Sequence, residues 1–411
     1  MRWLIFIAFY ILLDIYAFQA YRTLVKTGWP DYLYVILSII WVVGFVYLMG
    51  NPLNGSFYTG LSSYVFGLML TVICTKLVII VFLFGEDLVR FVLAVIRKLG
   101  HSNSSFEIPS RRKFLSILAL GIAALPFGAL LYGMFKGKYD YQVLNYEIVF
   151  DDLPDAFDGY QITQISDLHC GSFDNHEKVK YGIDLANEQQ SDVLFFTGDL
   201  VNARASETKE WRDLFNTLNA PDGVFSILGN HDYGDHGGNW DSRAQQEQNL
   251  EDLKEIERGM NWKLLLNENR FIERAGQRIC VVGVENWGSG GFVQYGDLEK
   301  AGEGLTKEDF KILLSHDPSH WQEKVKNNEK NYQLTLSGHT HGMQFGIEIP
   351  GWIKWSPVKY RYKNWAGIYK EFGRFINVNR GFGYLAYPGR VGIWPEISVI
   401  TLRKRKNPSN A

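Results

Sequence analysis

Residues 161–171 read QITQISDLHCG: a short, strand-forming apolar run that ends at Ser166 and is followed at once by Asp167 and His169. Residues two apart in an extended chain point to the same side, so the carboxylate and the imidazole can act together. Four later strands end in the same way. Asp199 stands in TGDLVN, Asn230 and His231 in GNHDYG, His316 in SHDPSH, and His339 with His341 in SGHTHG. The ends of strands in open α/β sheets are where sites form. Gly198, Gly229, Gly338 and Gly342 allow the turns that bring short side chains to one centre.

Around these motifs, short apolar runs alternate with amphipathic stretches, the pattern of an α/β domain. The runs predict strands over Gln161 to Ser166, Val193 to Thr197, Gly223 to Leu228, Arg278 to Val284, Lys311 to Ser315, Gln333 to Ser337, Arg374 to Val378 and Ile397 to Leu402. Trp211, Leu214, Phe215 and Leu218 recur at helical spacing, which predicts a helix over Thr208 to Leu218. A second helix, capped by Asp241, is predicted to run to Arg258 with Leu250, Leu253 and Ile256 on its apolar stripe.

The 411 residues carry 42 Lys plus Arg, 44 Asp plus Glu and 3 Cys, a net charge of -2 that hides two unlike parts. Residues 1–139 hold 12 basic and 5 acidic side chains within long apolar runs, which leaves a net of -9 for residues 140–411. The sequence therefore predicts a membrane domain over 1–139 and an acidic soluble domain over 140–411. Aromatic content, aperiodic glycines and few cysteines exclude disorder, collagen-like repeats and a disulfide scaffold.

Trp3 to Ala20, Tyr32 to Met49, Leu61 to Phe84 and Phe114 to Phe135 are each long and apolar enough to cross a bilayer. Glu86 to Leu99 is apolar on one face and carries Arg90, Arg97 and Lys98, which predicts a separate helix lying in the interface. Basic residues concentrate in the loops after the first span (Arg22, Lys26) and the third (Arg90 to Lys113), and Asn51 to Gly60 has none. Positive charge stays inside, so the soluble domain is expected on the outer side, despite Lys136 and Lys138. Ser110 to Leu115 (SRRKFL) resembles a twin-arginine export motif; read instead as positive-inside charges, it sends the domain the same way. Asp14 and Lys76 are the charges within spans, both about two thirds of the way along parallel-running segments, and are expected to pair; the alternative is a snorkelling lysine.

The ordered set DxH, GDxx, GNHD, H and GHxH resembles the calcineurin-like metallophosphoesterase superfamily, from about Gln161 to Leu402. The wording ISDLHCG, FTGDLVN, GNHDYG, SHDP, GHTHG and NRGFG, with a terminal PEI strand, is similar to its membrane-associated branch. That branch includes twin-arginine-exported bacterial phosphoesterases and relatives of UDP-diacylglucosamine pyrophosphohydrolases. The resemblance implies a four-layer αββα sandwich after the four transmembrane helices. It further implies that Asp167, His169 and His341 hold one divalent ion, that Asn230, His316 and His339 hold a second, and that Asp199 bridges them. Carboxylate, imidazole and amide donors without thiolate suit Mn, Fe, Zn, Co or Mg. Two such ions about 4 Å apart lower the pKa of a bridging water and clamp the oxygens of an in-line displacement at phosphorus. The resemblance also places His231 beside the scissile oxygen, where it would donate a proton to the leaving group or stabilise its charge.

Protein phosphatases of this superfamily carry GDxVDRG, whereas here GDLVN ends in Asn202 and Ala203, so the acid that would orient His231 is missing. Asp232 or a water is left for that role. Cys170 is either an extra ligand or a small packed residue, and outside the cytosol it could pair with Cys280. His176 reads as a helix start, His236 lies in a Gly-rich loop, and His320 is one helical turn from His316. Arg380 and Arg390 flank the NRGFG turn and are expected to bind substrate phosphate in a bidentate manner; the alternative is a pair of ordinary surface arginines. Trp352 to Lys363 (WIKWSPVKYRYK) interleaves aromatics with Lys354, Lys359, Arg361 and Lys363, a mixture suited to lipid headgroups; the alternative is an aromatic loop packed on the domain.

The function expected is a membrane-anchored phosphoester or pyrophosphate hydrolase, acting from the periplasmic face of a bacterial inner membrane on a phosphorylated lipid, envelope intermediate or small molecule. Two alternatives remain: a nuclease or cyclic-nucleotide phosphodiesterase, which the net of -9 argues against for long nucleic acid, and a sensor or scaffold with a relic domain, which the filled ligand positions argue against.

Overall fold

Apolar segments with few charges satisfy their backbone in a bilayer only as helices. In the computed structural model, which describes residues 2–25, 27–50, 60–99, 109–236 and 239–406, the first unit, Met1–Phe135, consists of α1 (Arg2–Arg22), α2 (Trp29–Gly50), α3 (Gly60–Leu99) and α4 (Pro109–Phe135). All four contain a stretch long and apolar enough to cross a membrane. Lys26, residues 51–59, the side chains of Arg97 and Arg111, and the tail beyond Lys406 lie outside the described residues.

Glu86 to Leu99 is not a separate interfacial helix, because α3 runs through it without a break for 40 residues. No proline interrupts the run, a lone Gly85 costs a helix only about 1 kcal/mol, and Arg90 Nη2 meets Glu86 Oε1 one turn away at 2.8 Å. Asp14 and Lys76 do pair, with Nζ 2.5 Å from Oδ1. The Tyr34 and Ser38 hydroxyls donate to the same carboxylate at 2.8 and 2.6 Å, so every charge in this polar knot has a counterpart.

The second unit, Lys136–Ala411, contains two six-stranded sheets. The first is built from β1 (Gln142–Phe150), β2 (Gln161–Ile165), β3 (Val193–Phe196), β4 (Val224–Ser226), β5 (Lys263–Leu264) and the last strand, β14 (Glu396–Lys404), in the order β1-β14-β2-β3-β4-β5. The second takes β6 (Glu268–Arg274), β7 (Gln277–Gly283), β8 (Lys311–Leu314), β9 (Leu334–Ser337), β12 (Gly367–Glu371) and β13 (Arg374–Val378), in the order β12-β13-β9-β8-β7-β6. Between β9 and β12 the chain makes an antiparallel hairpin, β10 (Ile347–Ile349) and β11 (Ile353–Trp355).

Central strands such as VLFF in β3 are apolar on both faces because both faces are covered. Val193, Phe195 and Ile400 pack against Ile279, Ile312 and Leu334 between the sheets. Each such side chain contributes about 1.5–3 kcal/mol on burial. The outer face of the first sheet meets Val179 and Ile183 of α5 (His176–Asn187), Phe215 of α6 (Arg212–Phe215) and Leu253 of α7 (Arg243–Gly259). The outer face of the second meets Leu298 and Ala301 of α8 (Leu298–Ala301), with Trp321 and Val325. The result is an αββα sandwich.

Local chemistry moved some boundaries. Thr208 to Leu218 is not one helix: a 3-10 turn over Ala205–Glu210 is followed by the single turn of α6. Glu207 explains this, because it accepts from three successive backbone N–H groups and holds the chain in a tight turn. The cap of α7 is Ser242 rather than Asp241; the Ser242 side chain accepts from Gln245 N at 3.2 Å, while Asp241 N donates to the Gln245 side chain at 2.9 Å. Cys170 and Cys280 are free and belong to different cores, one helix-side on each sheet, so they form no disulfide.

Candidate metal centre

The polar motifs converge because β2, β3, β8 and β9 release them from strand ends that meet across the two sheets. The turns are tight enough that Asp167, His169, Asp199, His339 and His341 all adopt positive φ, between 47° and 69°. Left-handed backbone costs a non-glycine residue roughly 1–2 kcal/mol, and strain of this kind persists where surrounding structure over-determines it. Gly229 and Gly338 serve by their size: a Cβ would strike the Asp199 carboxylate at the first and Ser166 and the Asp167 carboxylate at the second.

Two groups of donors result. Asp167, His169 and His341 offer atoms within 4.8 Å of one another, as do Asp199, His316 and His339. In the first, His169 Nε2 and His341 Nε2 are 3.0 Å apart and His341 Nε2 is 3.2 Å from Asp167 Oδ1. The second gains Asn230, whose Oδ1 is 2.7 Å from His339 Nδ1. Asp199 Oδ2 reaches both groups, 3.6 Å from His169 Nε2 and 3.1 Å from His316 Nε2. All seven residues are therefore brought together.

Hydrogen bonds select the nitrogens. His316 Nδ1 donates to the Thr197 carbonyl at 2.7 Å, so Nε2 faces the cluster, buried and without a hydrogen-bond partner. His339 Nε2 meets the Tyr362 hydroxyl at 2.8 Å and lies 3.3 Å from Asp317 Oδ2, which leaves Nδ1 toward Asn230. Outer partners of this kind fix tautomer and ring orientation at metal sites. Burial pushes His169 and His339 down, keeping them neutral donors. At His316 burial opposes the charge, yet Asp199 and Asp167 push it up to about 10. A cluster that favours a cation at an orphaned buried nitrogen, with neutral imidazoles and carboxylates around it, fits a pair of divalent ions.

His231 lies beside this cluster, its ring 4.9 Å from that of His169. Neither Asp232 nor a second acid orients it. Nδ1 donates to the main-chain carbonyl of Asn202 at 2.8 Å, so Nε2 is the nitrogen left to exchange a proton. Asp232 instead accepts from Asp199 N, Leu200 N and Gly229 N at 2.8–2.9 Å, tying the GD and GNHD turns together. Glu207, unnoticed in the sequence, anchors Asn202 N, Ala203 N and Arg204 N and thereby the carbonyl that His231 uses. Its position three residues after Arg204, as in a capping box, was the available signal.

The expected phosphate-binding guanidinium groups of Arg380 and Arg390 are both taken up by protein partners. Arg380 is clamped between Glu396 and Glu348 at 2.5 and 2.6 Å, and Arg390 is fully buried on the carbonyls of Gly383 and Arg380. Their partners lie far from them in sequence or on the backbone, which a linear reading does not reveal. Arg390 also approaches His341 Nδ1 at 3.2 Å, holding that ring from behind. His320 bonds to Ser315 Oγ at 2.8 Å and packs on Trp287, and His176 opens α5 against Trp211. The rim is made by His236 and Phe292, whose rings lie 4.9 Å from His231 and 4.8 Å from His339, and by exposed Arg361 over Phe292.

A family model for "Calcineurin-like phosphoesterase" matches residues 160–343, and one for "Probable Calcineurin-like phosphoesterase, transmembrane domain" matches residues 1–138. The uncharacterized metallophosphoesterase YkuE of Bacillus subtilis is 30% identical over 72% of this chain and 98% of its own length. The chain belongs to the calcineurin-like phosphoesterase family. A transmembrane protein with metallophosphoesterase domain from Danio rerio is 27% identical over 76% of this chain and 70% of its own. An uncharacterized metallophosphoesterase of Helicobacter pylori is 27% identical over 72% and 73%. The four-helix unit and the sandwich thus both have family counterparts, in a metal-dependent phosphoric ester hydrolase that is an integral membrane protein.

Proposed function

We propose that this phosphoesterase hydrolyses a phosphoester or pyrophosphate bond of a lipid-linked or cell-envelope substrate, with its sandwich on the outer face of a bacterial cytoplasmic membrane. The observation that carries the reading is the sharing of Asp199 between two donor groups in a chain with four membrane-crossing helices. Asp167, His169 and His341 would hold one divalent ion and Asn230, His316 and His339 the other, with Asp199 common to both. Bound there, the ions would supply an activated water and neutralise phosphoryl charge.

The chain's own residues do the rest. His231, held by Asn202 O, transfers a proton at Nε2 to the leaving oxygen. Arg361 and His236, the cationic and hydrogen-bonding groups at the rim, receive the phosphate and its substituent in the role first assigned to Arg380 and Arg390. Basic residues after α1 and along the end of α3 support the outward orientation of the sandwich. The test is hydrolysis by the full chain of a chromogenic phosphodiester, a phosphomonoester and a lipid pyrophosphate with manganese. Preference for the lipid substrate supports the reading, and turnover of the soluble esters alone overturns its lipid half.

A further inference from the structure

The hairpin between the GHTHG turn and β12 leaves the apolar side chains of its first strand and its tip on the surface. Ile347 pairs with Trp355 and Ile349 with Ile353, which puts these four on one side, while Glu348 and Lys354 share the other. A hairpin lying on a sandwich normally turns its apolar side inward. Here Glu348 of β10 turns inward onto Arg380 at 2.6 Å, while in β11 Lys354 stays exposed with Nζ on the Ala366 carbonyl at 2.5 Å and Ile353 and Trp355 are half-buried. Ile347 and Ile349 are left 51% and 43% exposed, and Trp352 at the tip 76%. Met343 and Phe345 before the hairpin and Tyr360 after it extend the exposed apolar surface.

We infer that this face is a bilayer contact of the catalytic unit, inserting Trp352, Ile347 and Ile349 among lipid headgroups. Three observations favour a bilayer over another protein surface. The same chain carries four membrane-crossing helices, and only six residues separate α4 from β1, so a bilayer is always within reach. A tryptophan tip and a flanking tyrosine are the residues that partition to membrane interfaces. Lys359 and Arg361 stand exposed beside them and complement anionic headgroups, whereas Lys363 is taken up by Glu371 at 2.6 Å.

The contact would serve the candidate site directly. β10 begins six residues after His341, Ser356 Oγ at the end of β11 donates to the Gly342 carbonyl at 2.7 Å, and the chain then returns Tyr362 to His339. A hairpin seated in headgroups therefore places the cluster at the level of a lipid-borne phosphate. This consequence rests on the lipid substrate proposed above.

The experiment uses the full chain in nanodiscs of equal parts zwitterionic and anionic phospholipid. W352C is labelled with an environment-sensitive fluorophore in detergent before reconstitution; Cys170 and Cys280 are buried and Cys74 lies within a span. Brominated acyl chains should quench the label at 352 and leave unchanged one at E273C, an exposed position on β6 at the opposite edge of the second sheet from β12. Ready quenching of the 352 label by aqueous iodide, or shielding from both quenchers, overturns the contact. In a second arm, I347S/I349S should reduce hydrolysis of a vesicle-embedded phosphodiester by about tenfold and leave a soluble phosphodiester unaffected. Equal loss on both esters overturns the role in delivery. If the unmodified chain hydrolyses neither ester, the proposed function fails, and the bromolipid result still decides the contact.

Discussion

His231 Nδ1 lies 2.8 Å from the carbonyl oxygen of Asn202, so a main-chain group holds the imidazole proposed to transfer a proton. A carbonyl fixes the tautomer without adding a negative charge. H231N should lower kcat by about a hundred- to ten-thousand-fold on esters with basic leaving groups. The loss should shrink for nitrophenyl esters, whose leaving group needs no proton. A series of leaving groups checks this, and a loss independent of leaving-group pKa contradicts it.

Glu207 positions that carbonyl through the three N–H groups it accepts. E207A leaves three donors to find water and should cost about 1–3 kcal/mol of stability. It should also lower kcat with bound metal unchanged, whereas E207Q, which keeps an acceptor oxygen, should recover part of the rate. Metal analysis beside kcat for both variants separates this from general loosening.

How far the sequence revealed this molecule differs by kind of interaction. Asp167, His169 and their companions were legible because polar residues directly after buried strands have few structural reasons to be there. Asn202 was legible only as a departure from a motif, since a backbone carbonyl has no signature in one-letter code. Arg380 looked free because Glu348 and Glu396, its partners, are 32 and 16 residues away. The α3 continuation was hidden by Arg90, Arg97 and Lys98, which suggested an interface although nothing in the run breaks a helix. β1 and the β10–β11 hairpin escaped notice because their exposure pattern is that of edges and protrusions rather than of core strands.

In the membrane unit, Asp14 and Lys76 should be energetically coupled. Removing either alone strands a charge in an apolar setting, so D14N and K76M should each destabilise, and the double variant should be less destabilised than their sum by about 1 kcal/mol. Thermal unfolding in one detergent for the four proteins measures it. Strict additivity contradicts the pairing.

Glu257 of α7 is fully buried beneath β4, where the Ser226 hydroxyl donates to one oxygen at 2.6 Å and the other has no partner. Burial and the charge of Asp232 push its carboxyl up to about 8. The folded state therefore binds a proton that the unfolded chain releases above the ordinary glutamate pKa of about 4.3. Its stabilising contribution is complete below that value and is lost as pH rises to about 8. E257Q should flatten the stability curve across this window and gain on the parent at its alkaline end; unchanged curvature contradicts the assignment.

The carboxylate of Asp199 is common to both donor groups. The direct measurement is metal content of the purified full chain and of D199N, taken with phosphodiester hydrolysis before and after chelation. The expected result is two divalent ions per chain, activity lost on chelation and restored by manganese, and both stoichiometry and turnover reduced in D199N. Full activity in the chelated protein, or two ions and full turnover in D199N, would contradict it.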